Sequence, residues 1–307
     1  MSKKRIIKVV LGWIIGVVSI GFCIAALVEY WGEFVAKSDG ISVWMLAGGA
    51  GCFFLAYLSL SLGWHVLMKD ISPGLRLRTT MRAWGYSQVA KYIPGKVMVF
   101  VVRMQACGAE GATPSKVLAG AGLDVVLSFV CTLLISMASW LVIPGQWGPL
   151  RWICLGAFAC TLVMVHPKVI MLVMRRYYRM RGISSDEVPT LTNASILKPL
   201  VFYMIGWSLY CAGGCLLLRA VTAGAPDSLA GNLAVAGGFA ISWTAGYLVV
   251  LAPGGLGARE GVLFMAIRPW VASDPVAAVV AVLARLCQSG LDLLFGVGWW
   301  VIHRFTK

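Results

Sequence analysis

Long apolar stretches follow one another along almost the whole of this 307-residue chain, separated by short polar segments. A helix needs about 20 apolar residues to cross the hydrocarbon core of a bilayer. Spanning helices are therefore predicted at about Val9–Tyr30, Val43–Leu67, Val117–Ile143, Trp152–Val165, Leu200–Ala223, Asn232–Ala252 and Pro275–Ile302. The fourth stretch is short unless it continues through Val169–Met174, and Val262–Val271 is too short to span alone. We expect an all-α, polytopic membrane protein with seven or eight spans, built as a single transmembrane domain over residues 1–307.

Composition and charge support a membrane setting and orient the chain in it. Hydrophobic residues make up 60% of the sequence and charged residues 12%, with a formal net charge of +14. Lysines and arginines cluster before the first predicted span, after the second and after the fourth, which by the positive-inside tendency places all three regions and the N-terminus in the cytoplasm. We expect a multi-pass protein of the plasma membrane, which would be the inner membrane of a bacterium. No nucleic-acid-binding module accompanies the basic charge, so nucleic acid is not an expected partner.

Two Pro-Gly elements interrupt the apolar pattern, one at Tyr92–Lys96 and the other at Ala252–Gly261. In hydrocarbon, non-helical backbone survives only where it is buried in protein or lines a polar cavity, because each unpaired backbone group costs several kcal/mol. Both elements also carry cations. They are predicted to be broken or re-entrant helices beside a place where an anionic group is held.

An internal repeat is suggested by the similar segments after the two Pro-Gly elements. About twenty residues after the proline of each element, Pro94 or Pro253, a second proline, Pro114 or Pro275, opens an apolar helix. Repeated halves with broken helices at matching positions are common in secondary transporters, although proline also begins many unrelated helices. The pattern predicts halves at about 43–143 and 199–302, which could be inverted relative to each other.

Three charges lie well inside predicted spans, away from their ends: Asp124, Arg285 and Asp292. An unpaired charge in the middle of a spanning helix costs about 2.5–3.5 kcal/mol on insertion scales, so these side chains should face the protein interior. Asp124 and Arg285 each lie ten residues after their proline, and we predict that they pair with each other. A purely structural salt bridge is the alternative, and Asp124, Glu260 and Asp292 are candidate proton carriers.

The segment from Ala252 to Gly261 resembles the signature of the lysylphosphatidylglycerol synthetase-type transmembrane family, the flippase half of the aminoacyl-phospholipid synthase/flippases. Gln88–Val97 is similar to that family's first conserved block, and the likeness runs from roughly Val43 to Ile302. The resemblance implies a polytopic bundle with re-entrant elements that moves a lipid between leaflets. Bifunctional members add a soluble aminoacyltransferase-like domain, for which this sequence has no counterpart, so we expect a stand-alone member without lipid aminoacylation.

The chemistry of the second Pro-Gly element suits a phosphate independently of that resemblance. Gly254, Gly255 and Gly257 permit positive φ and close approach of a headgroup, and a helix starting near Ala258 would present N–H groups to an anion. Arg259 adds a planar fork suited to phosphate. Tight packing in the turn would also explain the glycines.

The remaining candidates surround these residues. Glu260 would orient Arg259 or Arg285, or bind the amine of a zwitterionic headgroup. In the first Pro-Gly element Lys96 would supply a second cation, with Lys91 and Arg103 nearby. Gln88 and Tyr92 would add hydrogen-bonding groups to the predicted substrate-binding set, which is completed by Arg285.

Three classes of function come into question for such a chain. A lipid transporter is favoured, with an aminoacyl-phospholipid, another anionic phospholipid or a polyprenyl-phosphate-linked glycolipid as substrate. A membrane enzyme is not expected, because the sequence has no metal motif, no embedded histidine cluster and no nucleophile–base arrangement; no metal and no cofactor are predicted. The alternative is a non-catalytic partner subunit of a lipid- or glycan-synthesis enzyme. Membrane lipids are the expected partners, and a homo-oligomer stays open.

Overall fold

A computed structural model describes residues 25, 28, 32 and 40–305, apart from 94–95, 143–149, 181, 183–190, 223, 250–251 and 272. The first predicted span, Val9–Tyr30, lies almost wholly outside these residues. Within them the chain is helical and contains no strand, which confirms the all-α prediction. The helices are α1 Val43–Ile71, α2 Leu77–Ala90, α3 Val97–Gly108, α4 Pro114–Val142, α5 Leu150–Val165, α6 Pro167–Met180, α7 Asn193–Val221, α8 Leu229–Leu248, α9 Ala258–Ile267 and α10 Asp274–Phe305.

Four of these helices, α1, α4, α7 and α10, are long and apolar enough to cross a membrane. The predicted total of seven or eight spans stays a prediction. Pro167 ends the possible continuation of the fourth stretch, because α5 stops at Val165 and α6 begins anew at Pro167. A proline cannot donate to the preceding turn and clashes with its carbonyl group, so a helix tends to break there.

The segment Lys69–Lys116, between the second and third predicted spans, is largely helical and has a buried face in its first helix. It forms α2 and α3, which pack against each other, and α2 also packs against α10. Gly85 allows this close approach, since a Cβ atom there would lie 2.7 Å from Cδ1 of Trp299. The polar residues are accommodated by internal hydrogen bonds, such as that from Ser87 Oγ to the carbonyl of Trp84 at 2.6 Å.

Glu110, in the turn after α3, fastens the start of α2. Its carboxylate accepts hydrogen bonds from the Thr79 hydroxyl at 2.6 Å and from the backbone N–H of Arg76 at 3.1 Å. Partial burial tends to raise the pKa of Glu110, but these hydrogen bonds outweigh that effect and the pKa is lowered. The carboxylate is therefore held in its charged form. It links the turn after α3 to the start of α2.

The most extensive helix–helix packing joins α1 and α7, and small residues bring the two helices together. A Cβ atom on Gly213 would lie 3.0 Å from the carbonyl oxygen of Gly49, and one on Gly206 would lie 2.9 Å from Leu60. Lipid gives no hydrophobic drive for two helices to associate, so close van der Waals contact between small residues is the usual substitute.

Two further helices, α2 and α8, each contact helices of their own half of the chain and also a helix of the other half. In the segment α1–α4, α2 packs on its neighbour α3 and on the distant α10. In the segment α7–α10, α8 packs on its neighbour α9 and on the distant α4. Two halves related by an approximate two-fold axis would give this arrangement, as the predicted repeat requires.

Candidate functional site

The two Pro-Gly elements meet in the interior of the bundle. The backbone N–H of Gly254 donates to the carbonyl of Lys91 at 3.1 Å, which joins one element to the other. Gly254, Gly255 and Gly257 all have positive φ, at 60°, 74° and 83°, and α9 begins directly after them at Ala258. These backbone predictions are confirmed. In the first element Pro94 and Gly95 lie outside the described residues, and Lys96 adopts a left-handed conformation with φ of 54° just before α3.

Lys96 reaches from the first element to the end of α8. Its ammonium donates to the carbonyl oxygen of Gly246 at 3.2 Å and to that of Tyr247, and it lies 4.5 Å from the centre of the Tyr247 ring. These carbonyls belong to the last turn of α8, where the helix dipole favours a cation. The side chain is paired with no carboxylate in the described structure, although only 9% of the residue is exposed.

Arg259 projects from the first turn of α9 into the bundle and is 5% exposed. Its guanidinium donates to the side-chain oxygen of Gln288 and to the hydroxyl of Tyr210. Both acceptors are neutral, so they satisfy hydrogen bonds without neutralising the charge. As with Lys96, the described residues supply no carboxylate within pairing distance, and a buried charge of this kind is costly until it is compensated.

Glu260 lies beside Arg259 in sequence but contacts Arg285. One of its oxygens lies 3.6 Å from Nε of Arg285, and the other accepts the backbone N–H of Gly257 at 2.6 Å. Arg285 also donates to the carbonyl of Gly254 at 3.0 Å. Of the roles considered for Glu260, the structure gives orientation of Arg285. The N–H group of Gly257 just before α9, predicted to be available to an anion, is occupied by this carboxylate.

Asp124 pairs with Arg103, at 2.7 Å between Oδ2 and Nη1, and also accepts the Tyr203 hydroxyl. Arg103 donates in addition to Ser87 Oγ at 3.0 Å. The predicted Asp124–Arg285 pair was therefore wrong. Each of these two charges finds a partner on the short helix that precedes it in its own half, Arg103 on α3 for Asp124 and Glu260 on α9 for Arg285.

Asp292 is completely buried and links the halves. Its carboxylate accepts from Lys91 and from the hydroxyls of Tyr57 and Tyr92, each at 2.7 Å. Gln88 supports the same group, because its side-chain oxygen accepts from Lys91 at 3.3 Å. The C-terminal end of α2 is thereby fixed to α10.

Two adjoining cavities lie among these groups. The larger, of about 100 Å³, is lined by Gln88, Lys91, Arg103 and Asp124 together with many aromatic side chains. The smaller, of about 50 Å³, is lined by Lys91, Lys96, Gly254, Arg259 and Gln288 among others. The two share several lining residues: Lys91, Val99, Trp243, Tyr247 and Gln288.

The buried charges around the cavities do not balance. In the part of the chain that the structure describes, five cations are present, Lys91, Lys96, Arg103, Arg259 and Arg285, against the carboxylates Asp124, Glu260 and Asp292. Each carboxylate is paired with one cation. Lys96 and Arg259 are left over, and both line the smaller cavity. The arrangement can therefore accept an anion without displacing any of the three ion pairs.

Sequence reasoning missed the polar aromatic and amide groups that position these charges. Tyr57, Tyr203, Tyr210 and Gln288 each accept from or donate to a buried charged side chain. Their signal in the sequence was the same as for Asp124: a polar group near the middle of an apolar stretch.

The Arg103–Asp124 pair predicts a clear asymmetry between single and double variants. Arg103→Met alone leaves Asp124 buried without its cation, and breaking such a pair costs about 3–5 kcal/mol. We expect a large fall in the thermal unfolding midpoint of the detergent-purified protein. Adding Asp124→Asn, which keeps an acceptor for Tyr203, should restore much of the loss. Equal destabilisation in the single and double variants would show that the pair is not a coupled unit.

The glycines of the second element predict a difference between two alanine variants. Both positions have positive φ, which strains the backbone of an alanine by about 1–3 kcal/mol. A Cβ atom at Gly257 meets nothing within 4 Å, whereas at Gly255 it lies 2.7 Å from the carbonyl carbon of Gly246 in α8. Gly255→Ala should therefore lower the unfolding midpoint clearly more than Gly257→Ala. Equal effects would mean that only backbone strain matters there.

Comparison with known proteins places this arrangement in a family. No curated protein matches the chain. The family profile described as "Lysylphosphatidylglycerol synthase TM region" matches residues 7–296, which include both Pro-Gly elements and much of α10. That description agrees with the long apolar helices α1, α4, α7 and α10. The chain belongs to the lysylphosphatidylglycerol synthase TM-region family and is a multi-pass membrane protein.

Proposed function

We propose that this protein moves a phosphate-bearing lipid between the leaflets of its membrane, with the phosphate passing through the two adjoining cavities. One observation carries the proposal: Lys96 and Arg259 are buried, have no carboxylate partner in the described structure, and line the same small cavity. The family description, which names a lipid-synthase membrane region, supports lipid as the class of substrate.

The barrier to such movement is the loss of water around the phosphate. Transferring an isolated ionised group into a medium of low dielectric is very costly. A cavity lined by Lys91, Lys96 and Arg259 replaces part of the lost hydration with fixed charges. The phosphate would also neutralise the two unpaired cations, so binding would offset the desolvation cost of both the headgroup and the cations. The apolar tail would stay in the bilayer.

Arg259 is suited to exchange partners during this process. It is held by the neutral acceptors Gln288 and Tyr210, whereas a phosphate carries a negative charge and can accept two parallel N–H bonds from a guanidinium. A phosphate can therefore replace either acceptor. The ion pairs Lys91–Asp292 and Arg103–Asp124 stay intact and keep the walls of the cavity in place.

The contacts between the two halves would control from which side of the membrane a lipid can reach the cavity. The α2–α10 and α4–α8 contacts would correspond to each other in the predicted repeat. In an inverted repeat, equivalent contacts open toward opposite leaflets, so loosening one while the other stays closed exposes the cavity to each side in turn. We further propose a plasma-membrane location with a cytoplasmic N-terminus, on the basis of the distribution of basic residues.

The test is transbilayer movement of fluorescent phospholipid in liposomes that contain purified protein. Losing a hydrogen bond between a charged donor and a phosphate costs about 1.5–3 kcal/mol, and about 1.4 kcal/mol corresponds to tenfold. Arg259→Ala should therefore slow movement about tenfold or more. Arg259→Lys should retain intermediate activity, because lysine keeps the positive charge but cannot donate two parallel hydrogen bonds to a phosphate.

The matched control is Arg268→Ala. Arg268 is an exposed arginine just after α9, paired only at the surface with Asp274 at 2.7 Å. This variant should move lipid at the wild-type rate. Wild-type movement by Arg259→Ala would exclude Arg259 as a substrate contact, and absence of any movement by the wild-type protein would favour the partner-subunit alternative.

A further inference from the structure

We infer, building on the transport function proposed above, that the site selects lipids of net negative charge whose headgroup carries no ammonium group, and that it rejects aminoacylated, net cationic headgroups. Phosphatidylglycerol and its lysyl ester represent the two classes, since the lysyl group adds amines to an otherwise identical lipid.

The smaller cavity fixes where the phosphate is held. Three cations line it, Lys91, Lys96 and Arg259, and none of its described lining residues is acidic. Its volume of about 50 Å³ is room for a few water-sized groups. A compact anion such as a phosphate fits both the size and the charge.

The larger cavity then receives the substituent attached to that phosphate, and its charges oppose a cation. Among its described lining residues the single acid is Asp124, and both carboxylate oxygens of Asp124 are occupied, one by Arg103 and one by Tyr203. The other charged lining residues, Lys91 and Arg103, are cations. An ammonium group placed there meets like charges and finds no free carboxylate in this lining.

Aromatic side chains can bind cations, but four of those that line the cavities already contact the protein's own cations or each other. Lys96 lies over Tyr247 at 4.5 Å and Arg259 over Tyr210 at 5.5 Å. Trp243 packs against Trp207 at 4.4 Å and stacks with Tyr247 at 5.3 Å. An amine entering the cavities would have to compete for these rings.

The test compares binding of phosphatidylglycerol and lysyl-phosphatidylglycerol, with identical acyl chains, to the detergent-purified full-length protein by native mass spectrometry. Phosphatidylglycerol should bind at least about tenfold more tightly, a difference of about 1.4 kcal/mol. Gln88→Glu, which adds a carboxylate to the lining of the larger cavity, should reduce this preference several-fold. Arg268→Ala should leave it unchanged.

Equal or tighter binding of the lysyl ester, or binding of neither lipid, would overturn the inference. The outcome is separable from that of the transport assay. Selective binding of phosphatidylglycerol without movement in liposomes would keep the inference and refute transport, whereas equally fast movement of both lipids would keep transport and refute the selectivity.

Discussion

Where helices break in the interior of a membrane protein, the freed backbone groups must be satisfied by the protein itself, because hydrocarbon offers them no partner. Here buried cations satisfy several of these groups. Lys96 donates to carbonyls at the end of α8, Arg285 donates to the carbonyl of Gly254, and the N–H of Gly254 reaches the carbonyl of Lys91. The breaks and the charges therefore depend on each other, and the cavities lie where the two breaks meet.

The same constraint explains how the charges are paired. Asp124 and Arg285 occupy matching places, each ten residues after a proline in the first turn of its long helix. In one half the acid lies on the long helix and its cation, Arg103, on the short one; in the other half the signs are reversed, with Arg285 on the long helix and Glu260 on the short one. Each half thus neutralises its own helix pair, and Asp292 with Lys91 connects them. Around the cavities, the described cations beyond these three pairs are the ones available to a ligand.

Much of this could be predicted from the sequence, and the failures have definite causes. Apolar length identified α1, α4, α7 and α10, and glycine spacing predicted the positive φ angles before α9. The burial of α2 was missed, because threonines and serines that bond to backbone carbonyls within a helix look the same in sequence as those exposed to water. The partner of Asp124 was misassigned, because matching positions in a repeat show equivalence and not contact. The excess of two cations depended on knowing every pair, which required the three-dimensional arrangement.

Lys96 and Arg259 lie where a lipid phosphate would be held if the two chain breaks form the transport site together. A high-resolution electron cryomicroscopy structure of the protein in nanodiscs containing phosphatidylglycerol would show whether they do so. We expect phosphate density within hydrogen-bond distance of both side chains, with the Arg103–Asp124 and Lys91–Asp292 pairs unchanged. Ordered lipid found only on the outer surface of the bundle, with Arg259 still bound to Gln288 and Tyr210, would contradict this assignment.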